Sequence, residues 1–280
     1  MSCLLLLMGA TACADSGSYE WLVEIDEGWG SPEARQAALE EEVEVLRSRL
    51  DATTRGSVEL LSNGQIRIRQ KDTFLEPLLF SGDVALHFVP DPEDVTFQSI
   101  HPGLDSVLSM HSYLLPTGEY LVRESEIDEV LRYIETERVA DTFRPRLHLA
   151  WAAQSESLPV MDASPLGQDT RAIYIVQTRP LITSSDVVEA YPVESDGRVV
   201  IYGETTRDVA DIRHVGGRIA LMKDDSVWLS PAHVRQPIGR RFALTAPEGT
   251  TIMDAGLLSL FMRTGPLPAP LVIVESPPGP

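Results

Sequence analysis

The chain has 280 residues, of which 43% are hydrophobic and 23% are charged, and this balance predicts a globular protein with a packed core. With 23 basic and 42 acidic residues its net charge is -19, so nucleic acids and anionic membrane surfaces would repel it at long range. We therefore expect no nucleic-acid partner. Lys71 and Lys223 are the only lysines, and neither follows a G-x-x-x-x-G loop, which excludes a P-loop nucleotide site.

The first 18 residues, MSCLLLLMGATACADSGS, contain a short apolar run followed by small residues and Cys13. This segment resembles a bacterial lipoprotein signal, which implies lipidation of Cys13 and a lipid-anchored, periplasm-facing place in the bacterial cell envelope. Ala10 stands where such signals prefer Leu, and no basic residue precedes the run. An N-terminal helix, or a cleaved signal that leaves Cys13 unmodified, therefore stays as an alternative. Cys3 is the only other cysteine, so the folded body is expected to contain no disulfide.

The next segments carry clear local signals. Residues 19–25 alternate in hydrophobicity, as a strand facing one core does. Ser31 as N-cap and Pro32 at the first helical position begin a predicted amphipathic helix. Two β-rich runs flank the Asn-Gly pair at 63–64, which predicts a hairpin because both turn positions favour positive φ. The run VALHFV at 84–89 is predicted to complete a β-α-β-β set with them.

Beyond residue 90 the pattern is first irregular and then regular again. Residues 90–116 predict a loop with one short helix at 104–110, and a loop is also predicted at 154–170. The remaining elements are predicted as helices at 125–138, 205–214 and 251–263, and as strands at 146–153, 172–177, 198–204, 218–225, 226–230 and 271–274. Strands and helices interleaved through short joins predict an α+β class with antiparallel sheets.

The C-terminal third contains two distinctive stretches, GGRIALMKDDSVWLSPAHVRQPIGRRFALT and LLSLFMRTGPLPAPLVIVES. In them the chain resembles the end of the first large periplasmic domain of the protein-export subunit SecD. The matching positions are Gly217-Arg218, 219–222, Asp224, Val227, Ser230, Pro231, Pro237-Ile238, Arg263, Gly265, 267–271 and 273–275. TRPLITSSDVVEA at 178–190 and EVLRSRLDA at 44–52 resemble the same family more faintly, so the likeness is strong over 172–276 and weak before that.

The SecD resemblance implies a ferredoxin-like base, built from the N-terminal segment and the last strand, with an inserted α+β head subdomain. The expected divisions are a signal and tether at 1–18, the first segment of the base at 19–90, a variable region at 91–170, a SecD-head-like subdomain at 171–262, and the return to the base with a tail at 263–280. SecD also has membrane helices that carry the acidic residue tied to proton-driven movement. This sequence contains no such helix, so we expect a stand-alone domain that lacks the motor.

No pattern of catalytic or ligand-binding residues emerges. The histidines do not form an H-E-x-x-H motif, and each is expected to be an ordinary surface or core residue: His87, His101, His111, His148, His214 and His233. The acidic run at 91–94 lacks calcium-loop spacing, and Asp224-Asp225 stands at an expected hairpin turn. Acid pairs could also serve a glycosidase, but the sequence gives no separation for them. We predict no catalytic residue, no metal site and no cofactor.

These observations predict a non-enzymatic, extracytoplasmic lipoprotein that resembles the SecD periplasmic domain. Its expected partners are unfolded or exported polypeptide, or proteins of the translocase or envelope, and strand addition to a sheet edge is a physical route for holding an extended chain. The alternative is an envelope structural or interaction lipoprotein that keeps the fold without an export role. A hydrolase is a third hypothesis, which no residue pattern supports.

Overall fold

The computed structural model describes residues 19–53, 56–70, 76–79, 83–143, 146–153, 170–246 and 249–275. The chain divides into two compact units. The first unit takes in the residues up to 82 and those from 264 onward, and the second unit takes in residues 83–263. No helix among the described residues is long and apolar enough to cross a membrane.

The first unit is built on a four-stranded antiparallel sheet. Its elements are β1 (Tyr19–Ile25), α1 (Pro32–Thr53), β2 (Gly56–Leu60), β3 (Ile66–Gln70), a 3-10 helix (Glu76–Leu79) and β14 (Leu271–Glu275). The strand order is β14-β1-β3-β2, so the last strand pairs with the first, as the resemblance implies. A ferredoxin-like base has this strand order, but the full ferredoxin-like arrangement stays a prediction.

Helix α1 begins as its sequence predicts. The Ser31 hydroxyl accepts a hydrogen bond from the backbone N–H of Ala34 at 3.2 Å, and Pro32 is the first helical residue. The apolar face of the helix is buried in one core with the inward side chains of β1 and β3. Each large apolar side chain that is fully buried there stabilises the fold by about 1.5–3 kcal/mol. This core comprises Trp21, Val23, Ile25, Leu39, Val43, Leu46, Leu50, Ile66 and Ile68, with smaller contributions from neighbouring residues.

The second unit contains a seven-stranded mixed sheet. Its strands are β4 (Val84–Val89), β5 (Ser112–Leu114), β6 (Tyr120–Arg123), β7 (Leu147–Ala152), β8 (Thr170–Gln177), β11 (Arg218–Lys223) and β12 (Ser226–His233). They lie in the order β4-β11-β12-β7-β8-β6-β5, and all neighbours are antiparallel except β12 and β7, which are parallel. Helices α2 (Phe97–Ile100), α3 (Pro102–His111), α4 (Ile127–Thr136) and α5 (Val139–Thr142) share an apolar core with β6, β7 and β8.

The second unit also contains a three-stranded antiparallel sheet. Its strands are β9 (Val187–Ser195), β10 (Arg198–Thr205) and β13 (Arg241–Thr245), in the order β13-β10-β9. One face of this sheet is buried through Ala190, Ile201, Phe242 and Leu244. Helix α6 (Ile252–Thr264) follows β13. The helices and sheets of the two units confirm the predicted α+β class, and the parallel pair β12–β7 is an exception to the predicted antiparallel pairing.

Two predictions of local structure are wrong, and the predicted loop at 90–116 is incomplete, because this segment contains helix α2 and strand β5 besides α3. The strand at 84–89 does not complete the N-terminal set, because β4 pairs with β11 in the seven-stranded sheet of the second unit. The predicted helix at 205–214 is an extended segment instead. Ala210 pairs its backbone with Ile238, and only a short 3-10 helix, Ile212–His214, forms. The two backbone hydrogen bonds between Ala210 and Ile238, at 3.0 and 2.8 Å, use the groups that a helix would pair internally.

Candidate polypeptide-binding surface

Strand β9 lies at the edge of the three-stranded sheet. It pairs with β10 on one side, and no strand in the described part of the chain pairs with its other side. With nine residues it is longer than the other edge strands of the three sheets. Unpaired backbone N–H and C=O groups along such an edge can accept an added extended chain. Pro192 and Glu194 within β9 are residues that limit the pairing of an edge strand with other chains, and Pro192 has no N–H to donate to an added chain.

The solvent-facing side of the same sheet carries two stacked tyrosines. Tyr191 of β9 lies directly opposite Tyr202 of β10, and their ring centroids are 6.0 Å apart at an interplanar angle of 24°. Tyr191 is 46% exposed and Tyr202 is 39% exposed, and Val193 extends the apolar surface along β9. Tyrosine offers a large contact area at a low entropic cost. The pair therefore forms an apolar platform beside the open strand edge.

The buried side of the sheet fixes the platform in place. Gly203 of β10 lies opposite Phe242 of β13, and a Cβ at Gly203 would be 2.1 Å from Cζ of that ring. The aromatic ring therefore lies directly over the glycine backbone. Any larger residue would displace either the ring or the strand. The glycine thus has a packing role next to the candidate surface.

An ion pair holds the start of β9 to the end of β10. Nε and Nη2 of Arg207 donate to the two carboxylate oxygens of Asp186 at 2.8 and 2.9 Å, a bidentate arrangement. The backbone N–H of Thr183 also donates to Asp186 Oδ2, at 3.1 Å. Chiefly because of the Arg207 hydrogen bonds, the pKa of Asp186 lies below its ordinary value. This residue belongs to the stretch at 178–190 that resembles SecD, so that stretch positions the edge strand.

The Gly217-Arg218 pair has a structural role. Arg218 is buried, and its Nη1 and Nη2 atoms donate to Glu119 Oε2 at 2.9 Å and to the Thr117 carbonyl at 2.8 Å. A Cβ at Gly217 would lie 2.3 Å from Cζ of Phe88. The pair therefore fastens β11 to the turn before β6 and to β4.

Two buried charged residues of α1 hold the Pro-rich run at 267–271 and the residue Gly265 that leads into it. Glu42 Oε1 accepts a hydrogen bond from the backbone N–H of Ala269 at 2.5 Å. Arg49 donates to the carbonyls of Gly265 at 2.6 Å and of Leu78 at 2.8 Å. Burial raises the pKa of Glu42 to about 7, although the Ala269 hydrogen bond and the Arg49 charge oppose it. Burial likewise lowers the pKa of Arg49 to about 10. The sequence patterns gave no indication of either contact.

The acidic residues considered from the sequence take part in turns. Asp91 Oδ1 accepts from the backbone N–H of Glu93 at 2.9 Å, which closes a local turn. Asp224 has a φ of 54° in the hairpin between β11 and β12, as its turn position predicts. The predicted lipidation site, Cys13, lies outside the described residues.

The structure brings several histidines near other titratable groups. The rings of His87 and His148 lie edge to face with centroids 6.1 Å apart, and burial lowers the pKa of His148. His111 lies beside Glu126 and Glu129, a grouping that sequence reasoning missed. Glu126 is 15 residues away along the chain, so no short motif joins them, and only the packing of α3 on α4 reveals the group.

Comparisons with known proteins point to SecD. The protein translocase subunit SecD of Aquifex aeolicus (strain VF5) is 30% identical over 115 residues, which cover 39% of this chain and 22% of SecD. The chain thus spans less than a quarter of that relative. No family model matches the chain. A crystal structure of SecDF in its super-membrane-facing form aligns with 93% of this chain. The alignment covers 30% of the SecDF chain, with a TM-score of 0.50 and 16% sequence identity.

A second SecDF structure, described as a membrane component that enhances protein export, aligns over 91% of this chain and 98% of its own. Its TM-score is 0.47 and its identity is 15%. The first structural alignment shows a shared fold, and the SecD relative adds sequence identity over the 115 matched residues. The chain therefore carries a SecD-like domain, as its Gly217-Arg218 strand and its Pro-rich run at 267–271 predict.

Proposed function

We propose that the chain binds extended segments of exported polypeptide along β9, in the bacterial cell envelope and without catalysing a reaction. The observation that carries this proposal is the nine-residue strand edge beside the stacked Tyr191 and Tyr202. The similarity to a protein translocase subunit supports an export context for such binding. A lipid anchor at Cys13 would hold the domain near the membrane.

The charge of the surface favours one kind of polypeptide. The chain carries a net charge of -19, and Glu189 and Glu194 lie on β9 itself. Main-chain hydrogen bonds to the strand edge tolerate many sequences, whereas the carboxylates attract basic side chains. We therefore expect neutral or basic extended segments to bind more tightly than acidic ones, with a difference that salt reduces.

Fluorescence polarisation of a labelled 12-residue peptide of alternating Val, Thr and Lys tests the proposal. Tyr191→Ser and Tyr202→Ser are each expected to raise the dissociation constant about fivefold, since losing an aromatic contact costs about 1 kcal/mol. Tyr113→Ser is the matched control, because Tyr113 is 48% exposed but lies on β5 of the other sheet. Equal affinity of the wild type and all three variants would refute binding at β9.

The alternative, an envelope protein without an export role, predicts a different result in cells. A peptide-binding domain should crosslink to exported chains from Tyr191, when a photoreactive amino acid replaces that residue. Normal secretion in a deletion strain, together with no crosslink from this position and altered envelope integrity, would favour the alternative.

A further inference from the structure

A histidine and two glutamates meet where helix α3 ends and helix α4 begins. His111 is the last residue of α3, Glu126 directly precedes α4, and Glu129 lies in the first turn of α4. One possible ligand atom from each residue lies within 4.8 Å of those of the other two. Leu108 and Val130, both fully buried, belong to the core shared by the two helices. The grouping is therefore fixed by helix packing.

The two ring nitrogens of His111 face different carboxylates. Nδ1 is 3.0 Å from Glu126 Oε2, and Nε2 is 3.9 Å from Glu129 Oε1. A neutral imidazole has one N–H donor and one lone pair. If Nδ1–H donates to Glu126, the lone pair of Nε2 faces the Glu129 carboxylate, so two electron-rich atoms stand opposite each other. A cation between these atoms, either a proton on Nε2 or a metal ion, would turn that repulsion into attraction.

The spacing suits a small metal ion. Zinc binds histidine nitrogen and carboxylate oxygen at about 2.0–2.2 Å in tetrahedral geometry, which places two such ligand atoms about 3.4 Å apart. The observed 3.9 Å between Nε2 and Glu129 Oε1 is about 0.5 Å longer, so a small movement of the Glu129 side chain would bring both atoms within bonding distance of one ion. A carboxylate that hydrogen-bonds the other ring nitrogen is also the usual support for a histidine that binds a metal. Glu129 is more than half exposed, so its side chain can adjust and an ion can enter from solvent.

We propose that Nε2 of His111 and the Glu129 carboxylate bind a divalent transition-metal cation, with zinc as the best fit, while Glu126 orients the imidazole by accepting from Nδ1–H. An imidazole and a carboxylate are ligand types that zinc accepts, and the two glutamates together balance the charge of the ion. Water completes the coordination on the exposed side. The site uses residues of α3 and α4, so it is independent of the polypeptide-binding surface on β9. A bound ion would join the end of α3 to the start of α4.

Isothermal titration calorimetry with ZnCl₂ tests the site on the purified full chain after chelator treatment. One zinc ion per chain is expected, and His111→Gln and Glu129→Gln should each weaken binding at least tenfold. The controls are His233→Gln, an exposed histidine on β12, and Glu135→Gln, an exposed glutamate on α4, and both should bind zinc like the wild type. Cobalt should give visible absorption bands in the wild type that His111→Gln abolishes.

Three results would overturn the proposal. The first is the absence of stoichiometric zinc binding to the wild type at about 100 μM zinc. The second is unchanged affinity in Glu129→Gln, a surface substitution that leaves the core intact. Far-UV circular dichroism on each variant distinguishes lost ligation from lost folding. The third result is an equal loss of zinc affinity in His233→Gln and His111→Gln, because it would assign weak binding to scattered histidines.

Discussion

The buried carboxyl of Glu42 should make the stability of the protein fall as pH rises. The folded state raises the pKa of this group from 4.5 to about 7, so it binds the proton more tightly than the unfolded chain does. The contribution to stability is therefore fully present below pH 4.5, and it is lost as pH rises through about 7. Glu42→Gln replaces the group with a neutral side chain of the same shape, which keeps an acceptor for Ala269.

The size of the effect follows from the pKa. Each pKa unit corresponds to about 1.4 kcal/mol, so ionising Glu42 inside the folded protein costs about 3 kcal/mol above pH 7. At pH 4 the wild-type carboxyl is protonated and closely resembles the amide. The variant and the wild type should then differ by less than about 1 kcal/mol. At pH 8.5 the variant should be more stable by about 3 kcal/mol.

Urea unfolding followed by tryptophan fluorescence measures this difference, since buried Trp21 shares a core with α1. The free energy of unfolding is obtained at pH 4, 6, 7 and 8.5 for the wild type, Glu42→Gln and Glu40→Gln. Glu40 is exposed on the same helix and is not among the groups that shift the pKa of Glu42, so its substitution should leave the pH dependence unchanged. A constant difference between Glu42→Gln and the wild type across this range would refute the reasoning, because it would mean that Glu42 has an ordinary pKa.

Two further predictions concern the sheet packing and the N-terminus. Gly203→Ala should lower the free energy of unfolding by about 1–3 kcal/mol, because the new methyl group would lie 2.1 Å from Cζ of Phe242. Gly239→Ala is the packing control, because its φ is not positive and the nearest atom to its new Cβ is 3.9 Å away, so equal losses in both variants would contradict the explanation by overpacking. Cys13→Ser should remove a diacylglyceryl mass from the mature N-terminus in mass spectrometry and release the chain from the membrane fraction, whereas an unmodified wild-type N-terminus would contradict the proposed anchor.

Elements with strong local signals were predictable from the sequence. Helix α1 begins at Pro32 as its capping residues indicate. Asp196 and Gly197 have φ values of 52° and 71° in the turn between β9 and β10. Aspartate and glycine are favoured at such turn positions because they tolerate positive φ. Both features depend on the conformational preferences of a few neighbouring residues. Such preferences act within a few residues, so they can be read from the sequence alone.

Pairing over long distances was less predictable. Local patterns assign strand β4 to its neighbours in the sequence, but its inward and outward faces are both buried, and such a strand fits equally well into any sheet. Strand β9 gave no alternating pattern, because apolar residues stand on both of its faces, with Ala190 buried on one and Val193 exposed on the other. The candidate surface and the His111 group both depend on tertiary packing, which local patterns do not encode.

The pairing of β4 with β11 has a consequence for the order of folding. Val89 pairs with Arg218, although residues 90–217 lie between them in the sequence. Closing so long a loop is entropically costly, and sheets with such distant partners fold slowly. During synthesis from the N-terminus, the apolar residues of β4 therefore lack their β11 partner until most of the second unit has been made. Any factor that shields β4 in this interval would raise the yield of folded protein.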